Sequence, residues 1–203
     1  MLLDFTKLVE NFDLKIKGVI HIGAHFGTEN EVYKKFDIKN KIFFEPLPHT
    51  FKILENNVRD SILVNKALGN DTKKINMYVE RENCSQSSSI LKPKIHATQY
   101  AWITFKEMME VDMIKLDDYP LEQDKYNFIN IDVQGYELEV FKGATKTLEN
   151  IDYIMSEINR AELYENCVLV DQLDKFLKNY GFERVATTWD GGTWGDGFYI
   201  KKK

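Results

Sequence analysis

The chain predicts an α/β fold in which a sheet carries a small-molecule site along one edge. Three observations lead there. Apolar strand patterns alternate with helical patterns along the 203 residues. The first strand, VIHI, runs straight into a glycine-flanked turn, GAHFG, and then into an amphipathic helix, the geometry of a backbone that passes close to a nucleotide-like ligand. Three buried strands end in carboxylates, at Glu45, Asp132 and Glu157. The length suits one sizeable α/β domain over residues 1–203 and is too short for two ordinary ones.

The elements follow in order. Residues 1–15 read as a short amphipathic helix with Leu3, Phe5, Leu8 and Phe12 available for one face. Strand VIHI is followed by a helix over Thr28–Phe36, and strand KIFF ends at Glu45. Pro46 and Pro48 form a rigid loop before a helix over Thr50–Val58. A strand over Ser61–Asn65 precedes KALGN, read as a turn, and INMYVE is a further strand. The polar, serine-rich stretch from Arg81 resists assignment, and residues 81–105 are a candidate lid or substrate segment. MEVDMIKLDDY mixes strand and turn, with Asp117 and Asp118 as turn and capping residues. NFINID is a buried strand, Gly135 opens a helix over Tyr136–Leu148, and IDYIMSEI is buried again. A helix over Leu169–Tyr180 stops at Gly181, a good left-handed terminator. FERVATTW and GFYIKK close the sheet through a glycine-rich connection, DGGTWGDG, and the final KKK reads as a solvated tail.

Composition narrows the function. Hydrophobic residues at 43% support a packed core. The net charge of −5 argues against nucleic acid as partner, because a duplex binder needs a basic face. No apolar run reaches the roughly 18 residues of a membrane span, and Asp4, Lys7 and Glu10 interrupt any secretion signal. Cys84 and Cys167 form no CxxC pair and read as free thiols, which fits a cytoplasmic location. No His-rich ligand spacing supports a metal site.

The turn distinguishes between cofactors. A dinucleotide fingerprint would place glycines at 25 and 28, where His25 and Thr28 stand, and a P-loop would end Gly-Lys-Ser/Thr. Two glycines four apart, Gly23 and Gly27, fit a cofactor without a pyrophosphate, such as S-adenosylmethionine. Its carboxylate can take backbone N–H groups of the turn, and its ribose diol suits the two oxygens of Glu45, 22 residues after Gly23. The plainer reading is that both glycines only allow tight strand–helix packing.

A second constellation, NFINIDVQGYEL, places Asp132 at the carboxyl end of its strand, the edge where open sheets bind ligands. Gln134 and Gly135 make the turn, and Glu137 lies in the first turn of the next helix, favoured there by the dipole.

These pieces together resemble the FkbM family of S-adenosylmethionine-dependent methyltransferases. The resemblance rests on HIGAHFGTE, FFEPLPHTF, VNKALGN, CSQSSSI, IKLDDY, INIDVQGYELEVFKGA and SEINRAELYE, in that order, with WGDGFYIK near the end. It implies a class I methyltransferase fold: a Rossmann-like, doubly wound, seven-stranded sheet whose last strand is antiparallel. It further implies that Gly23, Ala24 and Gly27 approach the methionine moiety and that Glu45 binds the ribose. Asn65 and Ala67 would lie near the adenine, and Asp132 near the amino group or the transferred methyl. His21, His25, Pro46 and Gln134 complete the expected cofactor set. His21 departs from the family pattern, since many relatives carry Asp there; as a residue it reads as a satisfied strand histidine.

A hydroxyl acceptor requires a proton acceptor, for which Asp132, Glu157, His25 and His96 are the candidates, Asp132 first because of its place at the crevice. Ser87, Ser88, His96 and Trp194 are candidate substrate contacts. A flexible linker for the serines and a solvated loop position for His96 are the plainer alternatives, and Trp102 reads as core. The resulting expectation is O-methylation of a sugar, glycan or small metabolite. A non-catalytic S-adenosylmethionine-binding or scaffold protein of the same fold is the alternative.

Overall fold

The computed structural model describes residues 2–202. Phe5–Phe12 forms α1, shorter than the expected helix. The Asp4 carboxylate caps it, accepting the N–H groups of Thr6 and Lys7. Then come β1 (Gly18–Ile22), α2 (Asn30–Lys35), β2 (Asn40–Phe44), α3 (Pro48–Asn57) and β3 (Ile62–Val64). An inserted stretch holds β4 (Ala67–Leu68), β5 (Lys73–Val79), α4 (His96–Gln99) and β6 (Glu107–Ile114). The chain returns through β7 (Phe128–Ile131), α5 (Glu137–Lys142), β8 (Tyr153–Asn159), α6 (Val170–Lys178), β9 (Phe182–Asp190) and β10 (Trp194–Lys201).

Seven strands form one sheet in the order β3-β2-β1-β7-β8-β10-β9. The first five run parallel to their neighbours, and β10 runs antiparallel between β8 and β9. Both faces are covered, so the central strands are buried and largely apolar, with His21, Asn130 and Ser156 among the buried polar exceptions. Ile20, Ile22, Ile129, Ile131 and Ile154 point to the α5–α6 side, with Phe141, Leu173 and Leu177. Val19, Phe43, Phe128, Met155 and Phe198 point the other way, against Phe5, Tyr33 and Leu54.

Several local expectations are corrected. KALGN contains strand β4, which pairs with β6 in a separate three-stranded sheet. Helix α3 starts at Pro48, whose missing N–H and fixed φ suit the first helical turn. The helix expected over Tyr136–Leu148 is two pieces: α5 ends at Gly143, and a 3₁₀ turn follows at Thr147–Asn150. Asp117 caps that turn, accepting the N–H groups of Lys146 and Thr147. The DGGTWGDG connection is shorter than expected, because β10 begins at Trp194. Lys201 is no tail residue; its ammonium donates to the carbonyls of Leu148 and Glu149. Met1 of the expected first helix and Lys203 of the closing lysines lie outside the described residues. Among the described residues no helix is long and apolar enough to cross a membrane.

Candidate active site

A cavity of about 450 Å³ opens at the carboxyl ends of β1, β2, β7 and β8, within the roughly 300–1,000 Å³ usual for small-molecule sites. One end is bordered by the β1 turn, Glu45 and the β4 strand. The other is bordered by His96, Tyr100, Trp102 and Trp194. Asp132, Gln134 and Glu157 lie on its wall, as do Ser87 and Ser88.

The β1 turn is wound tightly. Gly23 has φ +75°, and a Cβ there would sit 1.9 Å from the Asp132 carbonyl oxygen, so β1 and β7 could not approach with any other residue. The N–H groups of Gly23 and Ala24 both donate to the Phe44 carbonyl, and that of Gly27 to Ala24. They are therefore not free for a ligand carboxylate, contrary to the sequence expectation. Phe26 and Thr28 donate none of these bonds and line the cavity. Gly27 is not a lining residue. Its Cβ would meet Leu54 Cδ1 at 2.4 Å and Val58 Cγ2 at 2.7 Å, so its role is to let α3 pack on the turn.

Glu45 is buried at the end of β2. Its Oε2 accepts the His25 N–H and its Oε1 the Leu47 N–H, each at 2.9 Å. Burial pushes its carboxyl up to about 7 against the pull of these two N–H groups. Each oxygen keeps a second lone pair. Asn65 does not border the cavity; its Nδ2 donates to the carbonyls of Glu45 and Pro46 and fixes the strand end. Ala67 does border it, beside Leu68 and Met77, in an apolar slot suited to a flat base.

His21 is buried, with Nδ1 3.3 Å from the Tyr33 hydroxyl and Nε2 3.4 Å from Asn130 Nδ2. Burial lowers its pKa, so the ring is neutral. It is a partnered strand histidine that reaches the cavity wall. The His25 ring stacks on Phe26, with centroids 3.7 Å apart, and bonds the Cys84 carbonyl at 2.7 Å. It thereby ties the β1 turn to the serine segment.

The acidic cluster is held by Gln134, a non-glycine residue at φ +55°. Its Nε2 donates to Asp132 Oδ1 at 2.8 Å and to Glu157 Oε2 at 2.7 Å. Its Oε1 accepts the Tyr164 hydroxyl at 2.8 Å. Such strain persists where surrounding contacts over-determine it. Burial and then the Asp132 charge push Glu157 well above the usual carboxylate range. Glu137 is buried beneath: Oε1 accepts the N–H groups of Val133 and Gly135, while Oε2 has no partner among the described residues. Burial pushes Glu137 up to about 7. It shapes the turn and does not line the cavity.

The serine segment is ordered, not a solvated loop. Buried Glu80 accepts the N–H groups of Asn83 and Ser87, and its own N–H donates to Ser88 Oγ. The Tyr164 hydroxyl stands 2.8 Å from both the Ser87 carbonyl oxygen and Gln134 Oε1 and has one proton to share between them, and Ser89 Oγ donates to the Gln134 carbonyl. His96 is buried among Tyr100, Phe105 and Tyr164, and burial keeps it neutral. Trp102 is corrected from core to surface: it is 59% exposed at the cavity mouth. Among the described residues no cluster of His, Cys, Asp and Glu could hold a metal ion.

With this geometry in place, comparison with known proteins is decisive. Residues 21–184 match the family described as the methyltransferase FkbM domain. The chain belongs to the FkbM methyltransferase family. A 2-O-methyltransferase, NoeI, of Sinorhizobium fredii is 28% identical over 179 residues, covering 83% of this chain and 73% of that protein. A putative tRNA (m1A22) methyltransferase of Streptococcus pneumoniae, in complex with S-adenosyl-L-methionine, superposes with TM-score 0.55 at 15% identity, covering 100% of this chain and 75% of that one. The magnesium protoporphyrin IX methyltransferase of Synechocystis gives 0.55 at 8% identity, covering 97% and 76%. The fold is that of class I methyltransferases, and the cofactor of this FkbM protein is S-adenosylmethionine. The residues present fit it. A buried carboxylate with spare lone pairs and an apolar slot stand at one end, and the Phe26 and Thr28 N–H groups of the adjoining turn donate to nothing among the described residues.

Sequence reasoning did not find Glu80, Tyr164, Tyr100 or Asp190 as site residues. Glu80 carries one usable signal, as a carboxylate closing strand INMYVE in the same way that Glu45 closes KIFF. Tyr164 sits inside the SEINRAELYE motif.

Proposed function

We propose that this chain is an O-methyltransferase acting on a hydroxyl of a sugar, glycan or small metabolite, working as one unit over residues 1–203 in the cytoplasm. The observation that carries this reading is the Asp132–Gln134–Glu157 cluster on the wall of a cavity that also holds Glu45. The FkbM relative named as a 2-O-methyltransferase supports the oxygen acceptor.

When bound, S-adenosylmethionine supplies a methyl on a positive sulfur. The residues have to hold it and bring an acceptor oxygen into line. Glu45 binds the ribose diol, Pro46 and Ala67 border the adenine, and Gly23, Ala24 and His25 shape the methionine end. Asp132 accepts the acceptor's proton as its oxygen attacks. Glu157, whose carboxyl burial and its acidic neighbours push well above the usual carboxylate range, holds its proton more tightly than an ordinary carboxyl and so limits repulsion within the pair. Gln134 holds both carboxyls in place. His25 is spent on Glu45 and the Cys84 carbonyl, so it positions the turn and is the weaker candidate for the base. Ser87, Ser88, His96 and Trp194 contact the acceptor, and the segment 81–105 covers it.

The test is incubation of purified protein with S-adenosylmethionine and hydroxyl acceptors, following S-adenosylhomocysteine release. Release that requires an acceptor is the expected result. Cofactor binding without release from any hydroxyl acceptor would leave the scaffold reading.

A further inference from the structure

We infer that Tyr100, Trp102, Trp194 and Asp190 form a platform for a neutral saccharide at the outer end of the cavity. This rests on the O-methyltransferase reading and narrows its acceptor to a pyranose presented end-on.

Four observations carry it. Trp102 is 59% exposed although it borders a cavity. Its position on the cavity lining leaves a flat indole face, with a polar edge, open to a ligand. The second indole is fixed in advance: Trp194 Nε1 donates to the Tyr100 hydroxyl at 2.9 Å, and that hydroxyl reaches Asp190 Oδ2 at 3.4 Å. The chain of bonds joins the end of α4 to the β9–β10 hairpin, so the platform needs little ordering on binding. His96, 3% exposed, lies on the adjoining wall, and its Nδ1 has no partner among the described residues. A buried imidazole nitrogen without a bond is costly.

The fourth observation is charge. The acceptor end and inner wall carry Asp190, Asp132 and Glu157, whereas the lysine on the wall, Lys66, stands by β4 at the Glu45 end and reaches Asp112. Among the described residues that line the cavity no cation stands beside these carboxylates, and the nearby Arg160 guanidinium lies over the Trp189 ring, so an anionic acceptor would be desolvated against negative charge. A pyranose offers what these walls match. Its C–H face lies on an indole, and its hydroxyls reach Asp190, His96 and the serine wall. The exposed rim leaves room for the rest of a glycan to extend into solvent.

Methyl glycosides of glucose, galactose and mannose serve as probes, with the matching uronic acids as anionic controls and 4-nitrophenol and ethanol as non-saccharide acceptors. The readouts are S-adenosylhomocysteine release and calorimetric S-adenosylmethionine affinity, for wild type, Trp102→Ala and Tyr100→Phe. Trp102 is exposed, so Trp102→Ala should fold. Tyr100→Phe keeps the ring but cuts the bond chain. The expected result is release with a neutral glycoside. Trp102→Ala should then raise KM at least tenfold, with kcat and cofactor affinity within twofold, and Tyr100→Phe should raise KM less. Release confined to the uronic acids or the non-saccharides, or a KM unmoved in Trp102→Ala, overturns the platform and leaves the O-methyltransferase reading standing. Cofactor binding with no release from any probe overturns both.

Discussion

Replacing Glu45 by glutamine separates the cost of burying this carboxylate from what it does for the cofactor. In the fold its oxygens accept two N–H groups, those of His25 and Leu47. Glutamine keeps the shape but turns one acceptor into an NH₂, which must face one of those donors. The lost bond to a charged acceptor is worth about 1.5–3 kcal/mol. Against this, the wild-type carboxyl rises from its ordinary 4.5 to about 7 because it is buried. Keeping it ionised in the fold above pH 7 therefore costs about 3 kcal/mol. The two effects nearly cancel, so Glu45→Gln should melt within a few degrees of wild type at pH 8. Ligand affinity should not cancel, since the ribose diol donates to the same oxygens. Loss of one charge-assisted bond predicts a rise in Kd of at least tenfold, about 1.4 kcal/mol. The pH dependence follows with a definite sign. The folded carboxyl holds its proton more tightly than the unfolded one, so its contribution to stability is fully present below pH 4.5 and is lost as pH rises to about 7. Glu137 carries the same sign over the same window. Wild type should lose melting temperature across this range, and Glu45→Gln should lose less. Calorimetry and thermal melts between pH 4.5 and 8 read both. An unchanged Kd in Glu45→Gln would remove the ribose role, and a wild-type melting temperature that rises from pH 4.5 to 7 would refute the burial argument.

Two further outcomes are expected. Asp132→Asn should reduce turnover below detection while S-adenosylmethionine still binds, because the amide cannot accept the acceptor's proton; turnover near wild type removes Asp132 from the mechanism. Gly27→Ala should destabilise by about 1–3 kcal/mol, since its methyl meets Leu54 at 2.4 Å and Val58 at 2.7 Å at φ +70°; an unshifted urea midpoint would show that α3 gives way.

Much of the fold was legible because its central strands are buried on both faces. VIHI, KIFF, NFINI and IDYIMSEI are short apolar runs, and glycine turns or carboxylates punctuate their ends. The element limits were less legible where a distant residue sets them. The helix after Gly135 looks continuous to Leu148, but Asp117, 30 residues from Thr147, caps a second piece. The short strand β4 has only two residues and exists through its pairing with β6. In the site, Glu45 and Asp132 were readable as strand ends, whereas Glu157, expected as one, lies inside β8, which continues to Asn159 because it pairs there with β10. The dependence of all three on backbone donors or on Gln134 was not readable.

The sequence by itself determined the strand–turn–helix entry, the carboxylates on the ligand edge, the absence of a pyrophosphate fingerprint and the family. All of these are local: each is written in a run of residues whose spacing fixes strand, turn or helix. Only the tertiary structure decided how the pieces are used. It gave Gly27 to the packing of α3 and the Gly23 and Ala24 N–H groups to Phe44. It moved Asn65 behind Glu45, brought Tyr164 onto Gln134, and left Trp102 bare at the cavity mouth. The physical reason is that a hydrogen bond or a contact is made between neighbours in space. No local spacing encodes which of two candidate partners, 20 or more residues away, arrives there first.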